Sequence, residues 1–135
     1  AGDHTLMSSL FTRIVRGEIP CHKVGEDDRF LAFLDISPLR EGHTLVIPKM
    51  EVDRFFDLPA DVLSGIMPFA QEVAVRIRRA CPCDRVGLAV IGLEVPHAHV
   101  HLIPIDRMSD MDFTRPKLTL TQDELAAIAS RIRNA

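Results

Sequence analysis

Ten residues constrain this chain more than any others: Val95-Pro96-His97-Ala98-His99-Val100-His101-Leu102-Ile103-Pro104. Histidines recur at i, i+2 and i+4, with small or apolar residues between them. Alternate side chains of a β-strand point to the same face, so the spacing predicts a strand with His97, His99 and His101 aligned about 6.5–7 Å apart. Ala98, Val100 and Leu102 then point the other way, towards a core. On a helix the three imidazoles would spread around the axis. The β-branched neighbours and the bounding prolines also favour a strand.

Three of the chain's six histidines fall in these five residues. A neutral imidazole has one donor and one acceptor nitrogen and titrates near pH 6.5. It serves as a nucleophile, a general acid or base, or a metal ligand. Alignment on one face is what a site requires. A solvated or structural cluster is the plain alternative. A metal site is the chemical competitor, because His-x-His on a strand chelates zinc well. No Cys, Asp or Glu lies within the triad to complete a coordination sphere, although Glu94 is close by.

The rest of the chain supplies the scaffold. Leu10, Phe11, Ile14 and Val15 share one face of a short helix over 8–16, capped by Ser8 or Ser9 and ended by Gly17. Segments 21–26 and 30–34 form a hairpin across Asp27-Asp28-Arg29. Gly42 opens a strand running from His43 to Pro48. From Pro59 to about Ile77 apolar residues recur at helical spacing, with Gly65 and Pro68 as points of kinking or splitting. A strand over 85–91, the triad strand, an irregular stretch over 105–117 and a helix from a Thr121-Gln122-Asp123-Glu124 capping box complete the chain. The expected fold class is α+β: a mostly antiparallel sheet with one long helix and two shorter ones.

The 135 residues suffice for one domain. Residues 1–6 do not fit the pattern that follows. They are expected to be a cloning remnant, with Met7 as the natural start and 7–135 as a single domain with a C-terminal helical extension. A net charge of −3 argues against a nucleic-acid partner. No apolar run approaches the roughly 20 residues of a membrane span. Three cysteines, Cys21, Cys81 and Cys83, without a secretory signal imply reduced thiols and a cytoplasmic setting.

Four ordered motifs resemble the histidine triad (HIT) superfamily, in its nucleoside-phosphoramidase branch. They are Phe11-Thr12-Arg13-Ile14-Val15-Arg16-Gly17-Glu18-Ile19-Pro20, Phe33-Leu34-Asp35-Ile36-Ser37-Pro38, Gly42-His43-Thr44-Leu45-Val46-Ile47-Pro48-Lys49, and the triad followed by Leu102-Ile103. The resemblance implies a HIT-like fold with a five-stranded antiparallel sheet, a homodimer, and a pocket for a purine nucleoside monophosphate. Asp35 would accept hydrogen bonds from the ribose hydroxyls. Leu10, Phe11, Ile14, Ile19 and Ile36 would form the adenine slot, with plain core as the alternative. His99 would attack the α-phosphorus, and water would then release the nucleoside monophosphate from the nucleotidyl-histidine. His101 would bind the α-phosphate oxygens. His97 would orient the site or assist at the leaving group, and His43 would be structural near the end of the sheet. No cofactor is implied.

The chain departs from the family at two places. Many bacterial relatives hold a structural zinc on two cysteines, a histidine and the first triad histidine. The corresponding residues here are Ser9, Thr12, Glu51 and His97, so no metal is expected. Relatives also carry polar residues that touch phosphate or the leaving group shortly before the triad. Here that segment is Gly92-Leu93-Glu94-Val95-Pro96, shorter and largely apolar. The expected function is cleavage at the α-phosphate of nucleoside phosphoramidates or related nucleotides. The alternatives are a dinucleoside polyphosphate hydrolase, or a nucleotide-binding regulatory protein with little turnover.

Overall fold

The computed structural model describes residues 8–135. The expectations for residues 1–6 and for Met7 as the start lie outside the described residues. In order, the chain forms α1 (Leu10–Val15), β1 (Lys23–Glu26), β2 (Phe30–Leu34), β3 (Thr44–Pro48), a 3-10 turn (Phe55–Asp57), α2 (Ala60–Ala80), β4 (Arg85–Ala89), β5 (Val100–Ile105), a second 3-10 turn (Met108–Met111) and α3 (Gln122–Arg133). The fold is α+β. Its five strands lie in the order β1-β2-β3-β5-β4, and every neighbouring pair is antiparallel.

Period-2 alternation sorts the strands onto two faces. Phe30, Ala32 and Leu34 of β2, Val46 of β3, and Val100 and Leu102 of β5 pack against α2 and α3 in the main core. Leu31, Phe33, Leu45 and Ile47 turn to the opposite face and meet Phe11 of α1 in a smaller cluster. Both faces of β2 and β3 are therefore buried. That explains their continuous apolar runs, in which alternation is hidden.

Three local expectations change. The regular strand of the triad segment begins at Val100, not Val95. Upstream, the Ala98 N–H donates to the Val52 carbonyl (2.7 Å) rather than into the sheet. The strand before it ends at Ala89 rather than Ile91. Gly65 and Pro68 do not split α2, which is assigned as one helix. Pro68 and Ser64, whose carbonyl loses its partner, both lie on the exposed side, where that carbonyl is open to solvation. Gly65 serves a different purpose: a Cβ there would sit 2.8 Å from Nη2 of Arg29. The two helix starts follow the sequence. Ser9 accepts from the Thr12 N–H, and Thr121 and Glu124 form a reciprocal capping box.

Candidate active site

The face of the sheet away from α2 carries a cavity of about 430 Å³. Its walls come from α1 and the turn after it, the β2–β3 connection, the segment before β5, and the irregular stretch after β5. Leu10, Phe11, Ile14, Ile19, Asp35, Ile36, His99 and His101, the residues to which the resemblance gives a role, all line it. Ile36 is 65% exposed and Leu10 47%, which fits a slot wall rather than interior core. Phe11 belongs to both, since it anchors the second cluster and stands edge-on to His99 at 5.2 Å between ring centres. Asp35 is half-buried. Burial raises its carboxyl above the usual range, against the Ser37 N–H that donates to it (2.9 Å).

His97 is the exception. Its side chain is fully buried and does not line the cavity. Its Nε2 is 2.8 Å from the Pro48 carbonyl, which can only accept, so Nε2 carries the proton. Nδ1 therefore accepts from the Ser9 hydroxyl at 2.7 Å. The carboxylate of Glu51 accepts from the Ser9 N–H (2.8 Å) and the Thr12 hydroxyl (2.6 Å). Those hydrogen bonds, Thr12 first, lower its pKa, while burial lowers that of His97. The four residues at the zinc positions thus come together as a saturated hydrogen-bonded clasp. Two hydroxyls and one carboxylate with a single imidazole are a poor match for zinc, whose structural sites use thiolate and imidazole. No step below passes through a metal.

The tautomers of the other imidazoles follow by the same accounting. His99 Nδ1 is 2.7 Å from the backbone carbonyl of His97, so Nδ1 holds the proton and Nε2 keeps its lone pair. The Leu39 N–H donates to His43 Nδ1 (3.0 Å), so His43 donates from Nε2 to His101 Nδ1 (3.0 Å). His101 is left with its proton on Nε2. Burial is the largest cause that pushes His43 down to about 3 and His101 down to about 4, so both are neutral at pH 7. Asp35, His43 and His101 lie close enough to suggest a cation site. A metal on His43 Nε2 would force a proton onto Nδ1, against the Leu39 N–H, so the hydrogen-bonded arrangement wins.

Sequence reasoning did not find two further walls. Phe113 packs against His101 at 4.8 Å between ring centres, and Lys117 lines the same side. Both lie in the irregular stretch after β5, which the Leu118 N–H ties to the Pro38 carbonyl (2.8 Å). The segment carries no periodic signal that could have placed it. Cys21 and Glu94 also line the cavity.

An antiparallel sheet bearing a strand-face histidine cluster beside a nucleotide-sized cavity defines the class, and comparison with known proteins agrees. The HIT domain profile matches residues 16–108, and the chain belongs to the HIT family. An uncharacterised HIT-like protein of Methanocaldococcus jannaschii is 39% identical over 100 residues, 70% of this chain and 77% of that protein. The adenosine 5′-monophosphoramidase of Saccharomyces cerevisiae is 37% identical over 100 residues, 70% of this chain and 61% of its own. An adenylylsulfatase of Arabidopsis thaliana is 35% identical over 100 residues, but this chain spans only 51% of its length. Among solved structures, a HIT-like protein of Bartonella henselae involved in cell-cycle regulation superposes with a TM-score of 0.82 at 29% identity, covering 94% of this chain and 95% of that one. A zinc-bound histidine triad protein of Mycobacterium smegmatis gives 0.78 at 30% identity, covering 95% and 92%. HIT proteins of this kind bind nucleotides, and some relatives hydrolyse them.

Proposed function

We propose that this protein hydrolyses nucleoside phosphoramidates at the α-phosphorus through a nucleotidyl-histidine on His99. The observation that carries this is the proton placement: a fixed lone pair on His99 Nε2 beside a fixed donor on His101 Nε2, with ring centres 4.9 Å apart. His99 Nε2 attacks phosphorus and the P–N bond breaks. Its electron pair goes to the amine, which takes a proton from solvent or from a neighbouring group. Water then attacks phosphorus, the P–Nε2 bond breaks, and a nucleoside 5′-monophosphate leaves. The hydrogen bond from His99 Nδ1 to the His97 carbonyl stabilises the positive charge that the ring carries in the intermediate. His101 donates to a phosphate oxygen as charge develops. Asp35 accepts from the ribose, and Leu10, Phe11, Ile14, Ile19 and Ile36 hold a purine.

Other features support the remaining assignments. Edge strand β4 lies beside an apolar groove containing Met67, Ala74 and Leu88, which suits a second copy of this chain across a two-fold axis. The apolar side of α3 joins the same core as α2, which supports residues 7–135 as one unit. No helix among the described residues is long and apolar enough to cross a membrane. The thiols of Cys21, Cys81 and Cys83 are free, which suits a reducing, cytoplasmic setting.

The test is turnover of an adenosine 5′-phosphoramidate, with rapid quench and mass analysis of the protein. Wild type should show an adenylyl adduct on His99. His99→Ala should lose activity by on the order of 10⁴-fold while still binding AMP. AMP binding without turnover in wild type would refute hydrolysis and favour a regulatory nucleotide-binding role.

A further inference from the structure

The strap that follows β5 carries a cation that the phosphoramidase chemistry leaves unused. Buried Asp110 anchors its start, accepting from the Asp106 N–H (2.8 Å), the Arg107 N–H (3.1 Å) and Arg40 (2.6 Å). Asp112 then accepts from the Thr114 N–H (2.9 Å), and the Leu118 N–H ties the far end to the Pro38 carbonyl (2.8 Å). Lys117 is thereby set at the cavity wall close to the Asp35-Ile36-Ser37 turn. Among the described residues it is the only lysine or arginine lining that wall. Its ammonium is tethered, because Nζ donates to the carbonyls of Phe113 (2.6 Å) and Arg115 (3.3 Å). Of its three N–H bonds, one has no acceptor among the described residues. Its charge is felt at Asp35 and at His43, in each case less than burial is. Ser37, exposed on the same wall, spends its N–H on Asp35 (2.9 Å), while its hydroxyl has no partner among the described residues.

Ribose hydroxyls donate to a carboxylate, and Asp35 alone serves them. Lys117 and Ser37 offer the reverse: donors just outside that carboxylate, which require an acceptor carried on the sugar. We infer that Lys117 and Ser37 form a subsite for a phosphate on the 2′- or 3′-oxygen of the ribose, so that the protein takes nucleotides phosphorylated on the sugar as well as at the 5′ position. This rests on the reading of Asp35 as the ribose acceptor. One hydroxyl stays on Asp35. The other oxygen carries its phosphate past the carboxylate to the tethered ammonium, and the Ser37 hydroxyl donates beside it. Phosphate suits the pair because its oxygens accept charge-assisted hydrogen bonds from several donors at once. The nearby carboxylates of Asp35 and Glu94, and the exposure of Lys117, hold the gain to about three- to tenfold in affinity.

The experiment measures dissociation constants by titration calorimetry for AMP, adenosine 3′,5′-bisphosphate and adenosine 2′,5′-bisphosphate. Wild type should bind one bisphosphate about three- to tenfold more tightly than AMP, and high salt should shrink that preference. Lys117→Met should bring the favoured bisphosphate to within about twofold of AMP, and Lys117→Arg should restore most of the preference. Ser37→Ala, which leaves the tether of Lys117 intact, should reduce it to about half. Equal or weaker binding of both bisphosphates by wild type, or a preference undiminished in Lys117→Met, overturns the inference and leaves the nucleotide reading of the cavity standing. Failure of wild type to bind AMP overturns that reading, and the inference with it.

Discussion

Acid titration probes the neutral imidazoles directly. In the folded protein His43 titrates at about 3 and His101 at about 4, against an ordinary value of 6.5. Between these values the unfolded chain binds protons that the folded chain refuses. Stability is therefore complete above about pH 7 and falls as pH drops below 6.5. At pH 5 each unfolded imidazole is almost fully protonated, which costs the folded state about 2 kcal/mol per residue. The pair should remove about 4 kcal/mol between pH 7 and pH 5, with a slope approaching about 2.7 kcal/mol per unit. His97, lowered by burial, acts in the same direction. Glu51, lowered by its hydrogen bonds, loses its contribution only at more acid pH. Asp35, raised by burial, has the opposite sign there. The window from 7 to 5 thus belongs to the histidines. Urea denaturation followed by circular dichroism at half-unit steps measures the slope. His43→Gln, less stable at pH 7, should show about half of it. A wild-type stability flat to within about 1 kcal/mol across the window would refute the tautomer chain.

Other perturbations test other parts. Ser9→Ala removes the cap of α1 and the donor to buried His97. Urea denaturation should show a loss of about 2 kcal/mol, moderated by the Thr12 hydroxyl 3.3 Å from the same nitrogen. Asp110→Ala strips acceptors from Arg40 and from the Asp106 and Arg107 N–H groups, and should cost about 2 kcal/mol by the same assay. Overnight chelation should leave turnover and melting temperature unchanged, because the clasp at Ser9, Thr12, Glu51 and His97 offers zinc no thiolate.

The sequence revealed the site better than its support. Period-2 spacing correctly put His99 and His101 on one face with Val100 and Leu102 opposite. It overextended the strand because the residues around His97 spend their backbone groups elsewhere: the Ala98 N–H on Val52, the His97 carbonyl on His99. It placed His97 in the site with the other two, whereas the structure holds that side chain outside the cavity through a contact 88 residues distant in sequence, with Ser9, that no local pattern encodes. His43 was expected to be structural near the sheet's end. Its bond to His101 depends on β3 pairing with β5, which no local pattern encodes. Pro68 argued for a kink in α2, but helix breaking is cheap where the freed carbonyl faces water.

The clasp around His97 also decides what this protein must be supplied with. Where thiolates and zinc join an N-terminal helix to the first histidine, that joint fails when metal is scarce or thiols are oxidised. Here hydroxyls and a carboxylate make it, and none of them is redox-active. The link from α1 to the carbonyl that holds His99 is therefore indifferent to metal supply and oxidant. Its vulnerability is to acid, which protonates Glu51 and His97.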